Sequence, residues 1–278
     1  VFEQEALKEI IAKYTREAGL RNLEREIGNV CRKVARKIAE GHKRQIKITP
    51  TMVATLLGAA KFLRDDEMDK NEVGVVNGLA WTSVGGEVLH IEATTMAGKG
   101  GMALTGQLGD VMKESVQAAL AYIRSHGSEF HINPDWFQEN EIHVHVPAGA
   151  VPKDGPSAGC AMATALISVL TKVAVRKDVA MTGEISLRGK VLPIGGLKEK
   201  ILAAVRAGMK TVIIPEQNKK DLEDIPKEMQ KKVRIVPVKE IDEVLKLALE
   251  KFPIPASKGK LKAAPPKVMV RPSKEISA

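Results

Sequence analysis

The stretch from Pro147 to Leu170 constrains this chain most. It begins as a loop rich in proline and glycine and ends as a helix of small residues. Ser157 sits at the join, between Gly155-Pro156 and Ala158-Gly159. A serine there can cap the helix, because its hydroxyl accepts from the unpaired N–H groups of the first turn. The same place suits a nucleophile: free N–H groups and the positive end of the helix dipole stabilise an oxyanion formed beside the hydroxyl. Gly155 and Gly159 let a substrate backbone come close, and Ala158, Ala161 and Ala163 let the helix pack tightly. The residues alone leave cap and nucleophile both open.

The 278 residues suffice for two ordinary domains. Hydrophobic residues make up 44% of them and aromatics only 3%, so the core has to be aliphatic. Few aromatics are on offer as stacking platforms for single-stranded nucleic acid, whereas a net charge of +9 attracts polyanions. That charge is partly terminal, since beyond Ala256 one acid, Glu275, stands against Lys258, Lys260, Lys262, Lys267, Arg271 and Lys274. Cys31 and Cys160 read as small core residues of different domains in a reducing compartment, not as a bridge. There is no signal peptide and no membrane-length apolar run. The chain starts at Val1 inside a helical pattern, which reads as a piece of a longer protein.

Residues 1–63 read as helical. Phe2, Ala6, Ile10 and Ile11 form one apolar stripe, and Leu20, Leu23, Ile27, Val30, Val34 and Ile38 a second, at steps of three and four. Arg21, Glu24, Arg25, Glu26, Arg32 and Lys33 occupy the positions between, and Gly41 ends the helix. Gln45–Ile48 can form a short strand. Thr49 or Thr51, with Pro50, starts a third helix. A charged linker, 64–72, follows.

From there the period changes. Val73–Val84 and Glu87–Thr95 read as strands joined at Gly85-Gly86. A glycine-rich loop at 97–101 leads to a helix over about 107–124, with Leu108, Val111, Met112, Ser115, Ala119 and Tyr122 inward. Glu141–Val146 alternates as EIHVHV, pointing His143 and His145 away from the apolar residues. Strand-like 178–185 and 190–193 come after the Ser157 helix, then a helix from Leu197, strands at 211–214 and 233–236, and a helix at 241–249. This alternation predicts a mixed α/β or α+β domain. The stretch 253–278 has the composition of a disordered basic tail.

A serine nucleophile needs a base. His143 and His145 are candidates, the plainer reading being two strand histidines satisfied by their neighbours. They lack a third ligand for a metal. A lysine serves if it is neutral, and burial near a helix N-terminus favours that form. Lys198 and Lys200 both lie in the first turn after Gly195-Gly196. Lys200 shares its side with Ala203, Ala204 and Ala207, and Lys198 with Leu202 and Val205. Periodicity does not choose between them, and both are equally readable as surface lysines. Gly98-Lys99-Gly100-Gly101 hints at phosphate binding, but no GxxxxGKS or GxxxxGKT pattern occurs, so the stretch is open at most as one contributor to a nucleotide site completed by another domain.

Three motifs carry a resemblance. PKDGPSAG at 152–159, MTGEISLRG at 181–189 and LPIGGLKEKILAA at 192–204 resemble the proteolytic domain of Lon proteases, and YTREAGLRNLEREI at 14–27 resembles the helical lid of their AAA+ module. The resemblance covers about residues 3–250. It implies a small all-α lid domain (1–63), a linker (64–72), an α+β (mixed α/β) Lon-type peptidase domain (73–252) and the tail (253–278). It implies a Ser–Lys dyad in which Ser157 is the nucleophile and Lys200, not Lys198, the base. Thr182 would hydrogen-bond the lysine, Asp154 would gate or orient the site, and Glu92, His143 and His145 would support it. Arg21 matches an arginine that contacts nucleotide from the lid. The resemblance further implies an ATP-dependent serine endopeptidase of the cytoplasm, forming a hexamer that degrades unfolded or damaged proteins. It would need no cofactor for peptide-bond chemistry, and ATP and Mg would act through an AAA+ core lying outside this sequence. The basic surface adds weak, non-specific DNA binding, and no membrane partner is expected. The alternative is a non-enzymatic assembly or DNA-binding module of the same fold. Ala148 stands where many Lon sequences carry glutamate.

Overall fold

The computed structural model describes residues 1–17, 19–41, 45–62, 70–82, 85–147 and 152–252. Three helices open the chain: α1 (Gln4–Tyr14), α2 (Arg21–Ala39) and α3 (Pro50–Leu57). They close on a small core of Ala6, Ile10, Tyr14, Val30, Ile48, Val53 and Leu56. Thr49 caps α3 by accepting from the Met52 N–H at 3.3 Å, and Pro50 takes the first helical position, where no amide donor is required.

Several sequence expectations for this region need correcting. Gln45–Ile48 is not a strand: Ile48 makes a lone parallel bridge to Phe2 before the chain turns into α3. In α1, Tyr14 joins the buried face and Ile11 is exposed. Leu20, at the N-cap of α2, and Ile38, near its end, are exposed, because two short helices cannot cover both ends of a longer one; Cys31, mid-helix, is exposed because it lies about 100° round from the buried Val30. Glu26, expected outside, is buried. Lys61, arriving after α3, brings its ammonium to 2.6 Å from one carboxylate oxygen, and Asn29 donates to the other at 3.0 Å. The Lys61 hydrogen bond holds the Glu26 carboxyl below its usual range.

The second unit runs β1 (Val75–Thr82), β2 (Gly85–Ala97), β3 (Met102–Thr105), α4 (Asp110–Ser125), α5 (Trp136–Glu139) and β4 (Asn140–His145). A 3₁₀ turn (Pro156–Ala158) leads into α6 (Gly159–Thr171), and then come β5 (Val179–Met181), β6 (Glu184–Ile185), β7 (Val191–Leu192), α7 (Leu197–Arg206) and β8 (Thr211–Pro215). A 3₁₀ segment (Glu216–Asp224), α8 (Lys227–Gln230), β9 (Arg234–Val238) and α9 (Ile241–Ala248) complete it. Seven strands form one sheet in the order β3-β4-β2-β1-β5-β8-β9, while β6 and β7 pair separately. β1/β2 and β2/β4 are antiparallel, and the other pairs of the large sheet are parallel.

Alternate residues of each strand feed two cores. Leu89, Ile91, Val144, Met181 and Ile213 meet α4, α6 and α9 on one face. Leu79, Val88, Ala180, Val212 and Ile214 meet α7 on the other. The expectation of a mixed α/β domain holds, with local differences. Thr82 pairs with Gly85 and Trp81 with Gly86, so both glycines belong to β2; residues 83–84 lie outside the described residues. β3 lies between the expected loop at 97–101 and the helix, where no element was expected, and α4 starts at Asp110. Val111 is exposed on α4, while Val116, Leu120 and Ile123 are buried. Cys160 is buried in α6, and both cysteines are free thiols. The expected linker falls largely, and the basic tail wholly, outside the described residues. No described helix is long and apolar enough to cross a membrane.

Candidate active site

α6 precedes β5 and packs on one face of the sheet; α7 follows it and packs on the other. Both helices therefore aim their N-termini past the carboxyl ends of the parallel neighbours β1 and β5. This change of face is where open α/β sheets leave a crevice. A cleft of about 510 Å³ lies there, and Ser157 and Lys200 both line it.

The loop before Ser157 is strapped to the entry of α4. Gly109 N–H donates to the Lys153 carbonyl at 2.7 Å and Lys153 N–H to the Gln107 carbonyl at 3.1 Å. Asp154 Oδ1 accepts from Met112 N–H at 3.0 Å and from Gly155 N–H at 2.9 Å, so it serves the N-terminus of α4. Gly109 is required because the Asp154 carboxylate fills the space a Cβ would take. Lys153 is buried, with its ammonium 3.1 Å from the Gly106 carbonyl and 3.4 Å from that of Val146, and burial lowers its pKa. Sequence reasoning passed over Lys153. Its signal was a lysine between proline and the capping Asp154, in a loop otherwise built for close packing.

Ser157 is not the cap of α6. The intervening 3₁₀ turn makes Ala158 the N-cap, and no side chain bonds the first turn. Instead the Ser157 carbonyl accepts from Gly183 N–H at 2.8 Å and from the Thr182 hydroxyl at 3.3 Å. Gly183 can lie this close because it lacks a side chain: a Cβ there would meet Cys160 Sγ and Val191 at 2.8 Å.

Lys200 reaches the same threonine. Its amine donates to Thr182 Oγ1 at 3.1 Å, and the residue is only 2% exposed. Burial lowers its pKa from 10.5 to about 8. Ala203 and Ala204 are buried on the next turn, whereas Lys198 is exposed. The structure thus joins Lys200, Thr182 and Ser157 in one hydrogen-bonded series. The rest of the cleft is mostly apolar, with Leu79, Leu89 and Met112 among its walls. Trp81, 60% exposed, packs on Gly196, where a Cβ would be 2.8 Å from the indole.

The remaining candidates divide. Asp154 lines the cleft, but Glu92, His143 and His145 do not. Glu92 pairs with His145 across β2 and β4, and the Thr105 hydroxyl contacts His143 Nε2 at 2.9 Å and His145 Nδ1 at 2.7 Å. Arg21 is exposed at the start of α2. Ala148 lies outside the described residues. Among the described residues no group of three or more His, Cys, Asp or Glu could hold a metal ion. A depression of about 600 Å³ between Asn71, Arg176, Lys177, Asp178, Glu250 and Lys251 carries no nucleophile.

A small helical unit and a mixed α/β domain with a serine and a buried lysine on one cleft have the form of a hydrolase fold joined to a helical accessory domain. Residues 47–251 match the Lon protease C-terminal proteolytic domain, and residues 1–47 match the Lon protease AAA+ ATPase lid domain. The chain belongs to the Lon protease family. It is 94% identical over 278 residues to the Lon protease of Trichlorobacter lovleyi, covering 100% of this chain and 34% of that protein. Over 284 residues it is 68% identical to the Lon protease of Geobacter metallireducens, with 100% and 34% covered. With that of Brevibacillus choshinensis it shares 53% over 251 residues, covering 90% and 32%. The chain spans about a third of the length of these curated relatives.

Proposed function

We propose that this chain is a serine endopeptidase working through a Ser157–Lys200 dyad. The observation that carries the reading is the buried Lys200 amine, bonded to Thr182, which in turn bonds the Ser157 backbone. Neutral Lys200 takes the Ser157 proton as Oγ attacks a peptide carbonyl. Backbone N–H groups of the turn around Ser157 hold the oxyanion. The tetrahedral intermediate collapses, the amine leaves with the proton from Lys200, and Ser157 carries the acyl group. Water, losing its proton to Lys200, then attacks the ester and frees Ser157. Thr182 keeps the lysine oriented, and Asp154 holds the nucleophile loop on α4.

The wider reading follows the family. Residues 1–63 act as a lid and 73–252 as the peptidase, and the substrates are unfolded or damaged proteins cut inside a cytoplasmic hexamer. In the whole assembly hydrolysis of Mg-bound ATP would supply the energy that unfolds substrates, and Arg21 would contact the nucleotide. The lid and basic tail hold DNA weakly and without sequence preference, which salt abolishes.

The decisive test is hydrolysis of a peptide and of an unfolded protein by the wild type and by Ser157→Ala. The variant is expected to fold normally and cleave neither; residual cleavage at the wild-type rate rejects Ser157. A serine-reactive probe should label the wild type alone. A purely scaffolding module would carry no activated hydroxyl and would stay unlabelled.

A further inference from the structure

Gly86 is the second residue of β2 and stands opposite Trp81 on β1. It lies directly against the backbone of the helix that carries Lys200. A Cβ at this position would be 2.9 Å from the Lys200 amide nitrogen and closer still to the Glu199 carbonyl. The obstacle is helical backbone, so no rotamer change relieves it. Gly86 does not have a positive φ, so conformation does not demand glycine here; only space does. Its carbonyl accepts from Arg206 Nη2 at 2.6 Å, a side chain reaching back from the last turn of α7. The strand therefore touches α7 near both ends, at the Glu199–Lys200 peptide and at Arg206. Its partner strand closes the same side, with Trp81 seated on Gly196 just before the helix begins.

Resting on the Ser157–Lys200 reading, we infer that Gly86 is a positioning residue for the dyad: its missing side chain lets α7 sit close enough to β2 to bury the Lys200 amine beside Thr182. A methyl group at 86 drives the first turn of α7 outward by on the order of an ångström, because overlapping backbone atoms cannot interpenetrate. Lys200 moves with that turn. Misplacement on this scale costs up to about 10²-fold in rate when a reacting group is displaced. A lysine drawn partly into water also regains its proton affinity.

The test is Gly86→Ala in the 278-residue chain. Steady-state peptide hydrolysis is measured across pH. The Lys200 side chain is titrated by NMR in protein carrying ¹³C at lysine Cε, its signal assigned by its loss in Lys200→Met. The expected result is a Lys200 midpoint raised by a pH unit or so, and kcat near neutral pH down about tenfold. KM should stay within about twofold, with activity partly recovered in alkali. A Lys200 midpoint and kcat both equal to wild type overturn the inference and leave the dyad standing. A raised midpoint that the pH–rate profile does not follow upholds the positioning role and removes Lys200 as the base. If Gly86→Ala does not fold, Arg206→Met decides. It loosens the other end of the clamp without a clash, and should raise the midpoint in the same direction by less; no rise overturns the inference.

Discussion

Lys200 is held in a state that opposes folding. The unfolded chain binds its proton up to 10.5, the folded one only up to about 8. Between those values the unfolded state carries more protons, so stability rises with pH; below about pH 8 the penalty is fully present. For this buried lysine the penalty is roughly 3 kcal/mol. Lys200→Met is therefore expected to inactivate the enzyme yet raise its stability at neutral pH by a few kcal/mol, checked by urea unfolding; a destabilised Met variant contradicts this. Hydrolysis should rise with pH through about 8, Lys198→Ala should stay active, and Lys200→Arg should not, since guanidinium keeps its proton. An active Lys200→Arg would show that no base sits there. At this scale the sequence was partly legible. Ala203 and Ala204 marked a close-packed helix side, which made Lys200 a candidate beside Lys198, and the family motif chose between them. The residues left Ser157 open as cap or nucleophile, because nothing in Gly-Pro-Ser-Ala-Gly distinguishes a 3₁₀ turn from the first turn of an α-helix.

Among the elements, α2 and its neighbours carry a sensitivity to acid. Glu26 is buried against Lys61, and its pKa is lowered. Its contribution is complete above the unfolded carboxylate pKa and lost as pH falls through the folded value. Glu26→Gln is expected to destabilise the helical domain by about 1–3 kcal/mol at neutral pH, and by progressively less in acid. Thermal melts followed over pH would show it, and an equal loss at every pH would refute it. On α4, Asp154→Asn should keep the contact to Met112 N–H, while Asp154→Ala should lose about 1 kcal/mol. Glu26 escaped the sequence because its partner comes from another segment, and helical period alone assigns a glutamate to solvent. β3 escaped for a related reason. Four residues after a glycine loop carry little alternation, and their parallel partner β4 follows only after α4 and α5.

The whole molecule consists of two units joined lightly. Among the described residues the one ion pair between them is Arg16 with Glu87, a surface contact beside Gly86 that salt weakens. Calorimetry is therefore expected to show two transitions, further apart at high salt; a single cooperative transition at every salt concentration would mean a stronger junction. The sequence has no phosphate-loop motif, so ATP added to this chain should leave peptide hydrolysis unchanged, and acceleration by ATP would contradict the proposed division of labour. The mixed α/β class was readable from alternating periods. The strand order was not, because β5 and β8 are buried on both faces and pair in parallel, which removes the alternation that reveals register.

Ser157 and Lys200 sit on helices from opposite faces of one sheet. A ribosome making this chain releases the serine first, while α7 and the strands beyond it are still in the tunnel. On the proposed dyad, the serine has no lysine to activate it until the second layer docks. A nascent copy would then be harmless to itself and to the chains around it, and cutting would begin only when the domain is whole.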